Sequence, residues 1–175
     1  MQIRFENSPK EVKGFSTEEL REQFLIQQLI RPDQVELVYS HYDRMIVGGV
    51  HPIKQTISLP NHPELRAAYF LERRELGIIN VGGPGSVMAD GEVFVLQKLD
   101  ALYLGKGTRE VQFTSSDAGN PAVFYLLSAP AHHTYPNARC SKKKRHLCSW
   151  AMHPPQTNAP FINTFMLMVC KAASW

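Results

Sequence analysis

From residue 35 onward, short runs of β-branched and aromatic residues alternate with turn-forming residues, a pattern that predicts strands. The runs fall at 35–40, 44–50, 55–59, 68–71, 77–81, 86–88, 93–96, 101–104, 110–114 and 123–127. Many short strands at this spacing fit a β-sandwich or barrel. Ala89-Asp90-Gly91-Glu92 offers a tight turn with glycine available for positive φ, so the flanking runs are expected to form a hairpin. Gly82-Gly83-Pro84-Gly85 is read as another turn, because a phosphate-cradling loop needs a helix behind it and here a strand follows. Ahead of the strands, Ser16-Thr17-Glu18-Glu19 has the form of a capping box, with Phe15 and Leu20 placed for a hydrophobic staple. Leu20, Phe24, Leu25 and Leu29 recur at helical spacing, and Arg31-Pro32-Asp33 should close the segment, since a residue before proline resists the helical region.

Composition narrows the class. A chain of 175 residues with 43% apolar content can bury a core, which excludes disorder of the whole. The start is charged and has no leader-like apolar stretch. No run approaches the roughly 18 apolar residues of a membrane span, so a cytoplasmic protein is expected. The formal charge of +3 hides a division, because all 16 acidic residues precede Asn137 whereas six of the 19 Lys and Arg follow Pro136. Residues 1–136 therefore carry a net charge of −3, while residues 137–175 contain no acidic residue, all 3 cysteines and both tryptophans. So abrupt a change predicts a domain at 1–136 followed by an aberrant tail at 137–175.

The succession from Gly85 to Phe113, a turn, strands divided by Asp90-Gly91-Glu92, then Asp100-Ala101-Leu102-Tyr103-Leu104 and Gly105-Lys106-Gly107, resembles the cupin superfamily. More specific stretches surround it. Tyr39-Ser40-His41-Tyr42-Asp43-Arg44-Met45-Ile46-Val47-Gly48-Gly49, Tyr69-Phe70-Leu71-Glu72-Arg73-Arg74-Glu75-Leu76-Gly77, Asp100 to Gly107, and Ala129-Pro130-Ala131-His132-His133-Thr134-Tyr135-Pro136 resemble successive stretches of the 5-keto-4-deoxyuronate isomerases. The resemblance runs in order from the Ser16 helix to Pro136. It implies a mainly β fold, a cupin-like double-sheet β-barrel with one N-terminal α-helix. It further implies the first half of a two-cupin ketol-isomerase of pectin breakdown, interconverting 5-keto-4-deoxyuronate and 3-deoxy-glycero-2,5-hexodiulosonate. Its substrate would be a small uronate-derived sugar acid and its full-length form a homo-oligomer. The zinc ligands, histidines and a glutamate, belong to the family's second cupin, short of which this chain stops. The fragment is accordingly expected to be inactive. The alternative is a non-catalytic cupin scaffold or sugar-binding module, with neither nucleic acid nor membrane as partner.

Does the remaining half offer a metal site of its own? A zinc-type ion needs three or four N or O ligands converging at roughly 2.0–2.2 Å. His41 and Asp43 share one face by strand alternation, but no glutamate follows until Glu72, and Gly105-Lys106-Gly107 leads into Arg109, Glu110 and Val111 without a histidine. No metal is expected in this chain, and His41 and Asp43 are read as a structural pair. Glu72, Arg73, Arg74 and Glu75 offer a guanidinium fork for a uronate carboxylate, yet a solvated or inter-subunit ion-pair strand is the favoured reading. His132 and His133 are expected in a loop. The resemblance assigns no catalytic residue to these positions.

After Pro136 the family has Leu-Gly-Asp and then Asn-Arg-Arg-Thr-Ile-Asn-Lys-Tyr or close variants, which this sequence lacks. When each codon is read from the third base of one residue into the next, Trp150-Ala151-Met152 permits glycine and aspartate, and 156–165 permits a string close to the family's. Continuing to Trp175 permits Ser-Cys-Gln-Leu, again similar to the family. A single lost nucleotide between about Asn137 and Leu147 is expected, with Lys142-Lys143-Lys144 as an adenine-rich slip site. Under that reading the basic run ending at Arg145 only imitates a nucleic-acid patch. Cys140, His146, Cys148 and His153 likewise only imitate a zinc cluster, and 161–169 is an aggregation liability.

Overall fold

The computed structural model describes residues 1–142. Among the described residues, eleven strands form two sheets. The larger contains β1 (Gln2–Arg4), β2 (Val35–Ser40), β3 (Met45–Val50), β5 (Arg74–Asn80), β8 (Ala101–Leu104), β10 (Phe124–Pro130) and β11 (Ala138–Cys140), in the order β1-β2-β3-β10-β5-β8-β11. The smaller contains β4 (Ile57–Ser58), β6 (Gly85–Ala89), β7 (Glu92–Leu96) and β9 (Val111–Ser115), in the order β4-β9-β6-β7. The double-sheet expectation holds, but as two open sheets and not as a hydrogen-bonded closed barrel.

Register shows which side chains meet between the sheets. Cross-strand partners share a face, and Tyr39↔Ile46, Ile46↔Ser128, Ser128↔Leu76 and Leu76↔Leu104 run as one row across five strands. The neighbouring row, Leu37, Gly48, Leu126, Ile78 and Leu102, is also inward. Val87, Ala89, Val111 and Phe113 of the smaller sheet complete the core. Phe113 and Phe124 meet across it at 5.4 Å between ring centroids. Each large apolar side chain so buried contributes about 1.5–3 kcal/mol.

The Asp90-Gly91 hairpin forms as expected. Ala89 pairs with Glu92, and both central residues have positive φ, 47° and 87°, the handedness a two-residue hairpin needs. The Gly82–Gly85 turn is held by buried Asn80, whose Nδ2 donates to the Gly83 and Leu96 carbonyls (2.7 and 3.0 Å) while its Oδ1 accepts from Gly82 N–H (3.1 Å). A Cβ on Gly83 would collide with the Asn120 backbone oxygen, so this turn is glycine for packing.

Several expectations need correction. The helix begins at Thr17 with both capping-box bonds, but it stops at Phe24, where Leu25 turns extended. It buries no residue, and Leu20 and Phe24 stay 37% and 49% exposed, so apolar spacing here carried no core-facing helix. Its last carbonyls are capped by Arg4, which donates to the Gln23 and Leu25 oxygens (3.0 and 2.7 Å). A second helix, Pro9–Val12, has its own box on Ser8 and Glu11. Residues 68–71 form a turn, with Phe70 and Leu71 buried without strand pairing. Beyond the expected boundary at 137, β11 pairs with β8. Arg139 reaches the buried Asp100 carboxylate at 3.0 Å, and Lys142 N–H donates to the same group at 2.8 Å. The readings placed on Lys143, Lys144, Arg145, His146, Cys148, Trp150, Met152, His153 and 156–175 lie outside the described residues.

Candidate functional site

The inward row ends at one mouth of the sandwich, and there the side chains turn from apolar to charged. Alternation along β5 puts Arg74 on the same face as Leu76 and Ile78, at the rim of the core. The residue is 7% exposed. Nε donates to Ser128 Oγ (3.1 Å), and one terminal nitrogen donates to the Ser128 carbonyl (2.9 Å) and the Arg44 carbonyl (2.7 Å). All these acceptors are neutral. The Arg74 head lies over the Tyr39 ring at 5.7 Å, a cation–π contact. Burial, reinforced by the like charge of Arg44, lowers the Arg74 pKa to about 10. That value still leaves it charged at neutral pH.

A cavity of about 180 Å³ opens beside this head, lined by Tyr39, Arg44, Glu64, Phe70, Arg73 and Arg74 among others. Arg44 closes the β2–β3 connection with φ 54°, and Arg73 stands at the rim ahead of β5. Glu64 is the single acidic side chain of the lining, and no ion pair joins it to the three arginines. A larger cavity of about 300 Å³ lies outside the sandwich, between the N-terminal segment and β2. Of its charged lining, Arg31 pairs with Glu36 at 3.4 Å, and Arg4 holds the helix carbonyls.

The outer face of β5 is built differently. Glu75 is 6% exposed and accepts a 2.6 Å hydrogen bond from the Tyr103 hydroxyl, itself fully buried. Burial raises the Glu75 carboxyl, and the Tyr103 donation opposes that rise. The Tyr103 phenol is driven up by burial first and by Glu75 second.

The Glu72–Glu75 stretch is not uniformly solvated: Arg73 is exposed and Glu72 half-buried, while the next two residues are buried. Arg74 and Glu75 are both buried on opposite faces, and Glu72 folds back to accept from Ala68 N–H at 2.6 Å. His41 and Asp43 do not share a strand face either: β2 ends at Ser40, Asp43 takes φ 54° in a 3-10 turn, and no hydrogen bond joins the two. His41 instead stacks on Phe5 at 4.8 Å and edges against Tyr39 at 5.2 Å. His132 and His133 are exposed in the bend after β10. Among the described residues, no three His, Cys, Asp or Glu side chains converge as metal ligands would. Tyr39, Arg44 and Ser128 escaped notice as a group with Arg74. The available signal was the inward alternation Arg74, Leu76, Ile78.

Known proteins can now be set beside this geometry. Over 141 residues the chain is 50% identical to the 4-deoxy-L-threo-5-hexosulose-uronate ketol-isomerase 2 of Enterococcus faecalis, a stretch that covers 81% of this chain and 51% of that protein. The 4-deoxy-L-threo-5-hexosulose-uronate ketol-isomerase of Formosa agariphila is 52% identical over 139 residues, 79% of this chain and 50% of that protein. Over that stretch the chain is similar to the uronate ketol-isomerases at about half of all positions. It spans about half the length of the ketol-isomerases it matches. No family model matches the chain. Among solved structures, a cupin protein from Bacteroides fragilis is similar at 18% identity and TM-score 0.39, over 53% of this chain and 70% of that one. An RmlC-like cupin protein from Desulfovibrio desulfuricans is similar at 18% identity and TM-score 0.39, over 58% of this chain and 91% of that one. Among the described residues, no helix is long and apolar enough to cross a membrane.

Proposed function

We propose that the chain is the non-metal half of a cytoplasmic uronate ketol-isomerase, acting on a 5-keto-4-deoxyuronate of pectin breakdown only when joined to a second, zinc-holding barrel. The observation that carries this reading is identity near 50% that extends over only about half of each ketol-isomerase. Such an isomerase moves a proton between neighbouring carbons and needs a group that polarises the substrate carbonyl. The described residues provide no convergent ligand set for a metal to play that part. The role left to this half is to shape, and in a homo-oligomer to support, the complete enzyme.

The same reading covers the tail. Asn137 Oδ1 accepts from Gly105 N–H at 3.0 Å, and Arg139 neutralises buried Asp100, contacts that support a correct frame at least to Lys142. A slip within Lys142-Lys143-Lys144 then accounts for the unrelated composition that follows. The test is to restore one base in that run and assay the product with zinc. The restored protein should isomerise 5-keto-4-deoxyuronate, while the 175-residue chain should not. Turnover by the 175-residue chain, or a restored frame that encodes no histidine and glutamate ligand set, would overturn the proposal.

A further inference from the structure

We propose that the cavity at the Arg74 mouth of the sandwich is a carboxylate subsite that binds a small sugar acid through Arg74, Arg44 and Arg73. The sugar-acid part of this statement rests on the isomerase reading; the anion part rests on the geometry alone.

A guanidinium taken out of water is costly unless an anion or a full set of acceptors compensates it. Arg74 is buried, yet its partners are two carbonyls and a hydroxyl, and no carboxylate of the described residues pairs with it. Those three bonds use Nε and one terminal nitrogen and fix the plane of the head. A fixed, planar cation beside a cavity is preorganised to donate its remaining terminal nitrogen to a carboxylate oxygen, in a charge-assisted hydrogen bond. Arg44 and Arg73 line the same space and add positive charge, against Glu64 alone. At about 180 Å³ the cavity suits a small ligand and is below the size usual for larger ones. Tyr39 and Phe70 add aromatic carbon to the lining.

The test is a nuclear magnetic resonance titration of the nitrogen-labelled 175-residue chain, with D-galacturonate, D-galactose and inorganic phosphate as probes. Galacturonate should shift the Arg74 Nε–H resonance and the amides of 64–67, and galactose, which lacks the carboxylate, should not. Arg73→Gln, exposed and outside the core, and Arg44→Gln should each weaken galacturonate by about tenfold, the loss of one charge-assisted contact. Arg74→Lys should weaken it at least as much while keeping the charge, because the planar head that Ser128 and the Arg44 carbonyl hold in place is gone. Since Arg74 also bonds to β10, the Arg73 variant tests the subsite without disturbing that contact. No shift at Arg74, or affinity unchanged in Arg73→Gln and Arg44→Gln, would overturn the subsite. Phosphate binding as tightly as galacturonate would overturn the sugar-acid assignment. Neither result touches the isomerase reading, which turnover of the frame-restored protein decides.

Discussion

Arg74 and Glu75 are consecutive, oppositely charged and almost equally buried, yet the inner mouth and the outer face of the same sheet treat them in opposite ways. At the mouth, Arg74 is oriented by neutral acceptors and borders open space, with two further arginines around it. On the outer face, Glu75 is closed in by a fully buried phenol that donates at 2.6 Å. One charge is held ready for a group that is not part of the chain; the other is held in place by the chain. Burial alone does not identify a functional residue, whereas burial with an uncompensated charge against a cavity points to one.

If the outer face is structural, damage there should cost stability more than damage at the mouth. The largest loss is expected for Tyr103→Ala, which empties a fully buried aromatic site and orphans Glu75; urea unfolding should show about 3–5 kcal/mol. Tyr103→Phe removes only the hydroxyl and should cost about 1–3 kcal/mol, the penalty of a buried acceptor left without its donor. Arg74→Met, by contrast, exchanges a buried charge without an anionic partner for an apolar chain of similar length, and should change stability by no more than about 1 kcal/mol. A loss at Arg74 that exceeds the loss in Tyr103→Phe would reverse the contrast between the two regions.

The fold was legible where one local rule decided the structure. The bounds expected at 35–40 and 101–104 are those of β2 and β8, and the Asp90-Gly91 turn and the Ser16 cap form as expected. Legibility failed where tertiary context overrode pattern. Tyr69-Phe70-Leu71 looks like a strand because a short apolar run has no diagnostic period, and these residues enter the core from a turn. The helix ends early because the chain turns extended at Leu25, and Leu29 and Ile30 then lie against Gly49 of β3 from a non-helical segment. The start of β5 was hidden by its own chemistry, since charged residues at 72–75 read as solvated when the sheet in fact continues through Arg74 and Glu75. That single misreading removed Arg74 from the inward face and with it the candidate site. The Arg139–Asp100 pair was equally invisible, because the change of composition at 137 drew attention from residues that still complete the sheet.

The smallest expected effect separates the two charges by pH. Burial raises the Glu75 carboxyl above its unfolded value, so the unfolded chain gives up that proton first as pH rises. Stability from this group is therefore fully present below the ordinary glutamate pKa. It declines as pH climbs from there through the raised folded value, beyond which the folded protein holds a buried carboxylate stabilised only by Tyr103. Glu75→Gln keeps an oxygen for the Tyr103 hydroxyl but cannot ionise. Across that window its unfolding midpoint should be flatter with pH than that of the parent chain. Arg74→Met should leave the slope in the same window unchanged, because the guanidinium stays charged throughout it. A parent chain whose stability rises with pH over this interval, with Glu75→Gln abolishing the rise, would mean that Glu75 is stabilised as an anion. The outer face would then hold a charged partner for it, and the distinction drawn between the two faces would fall.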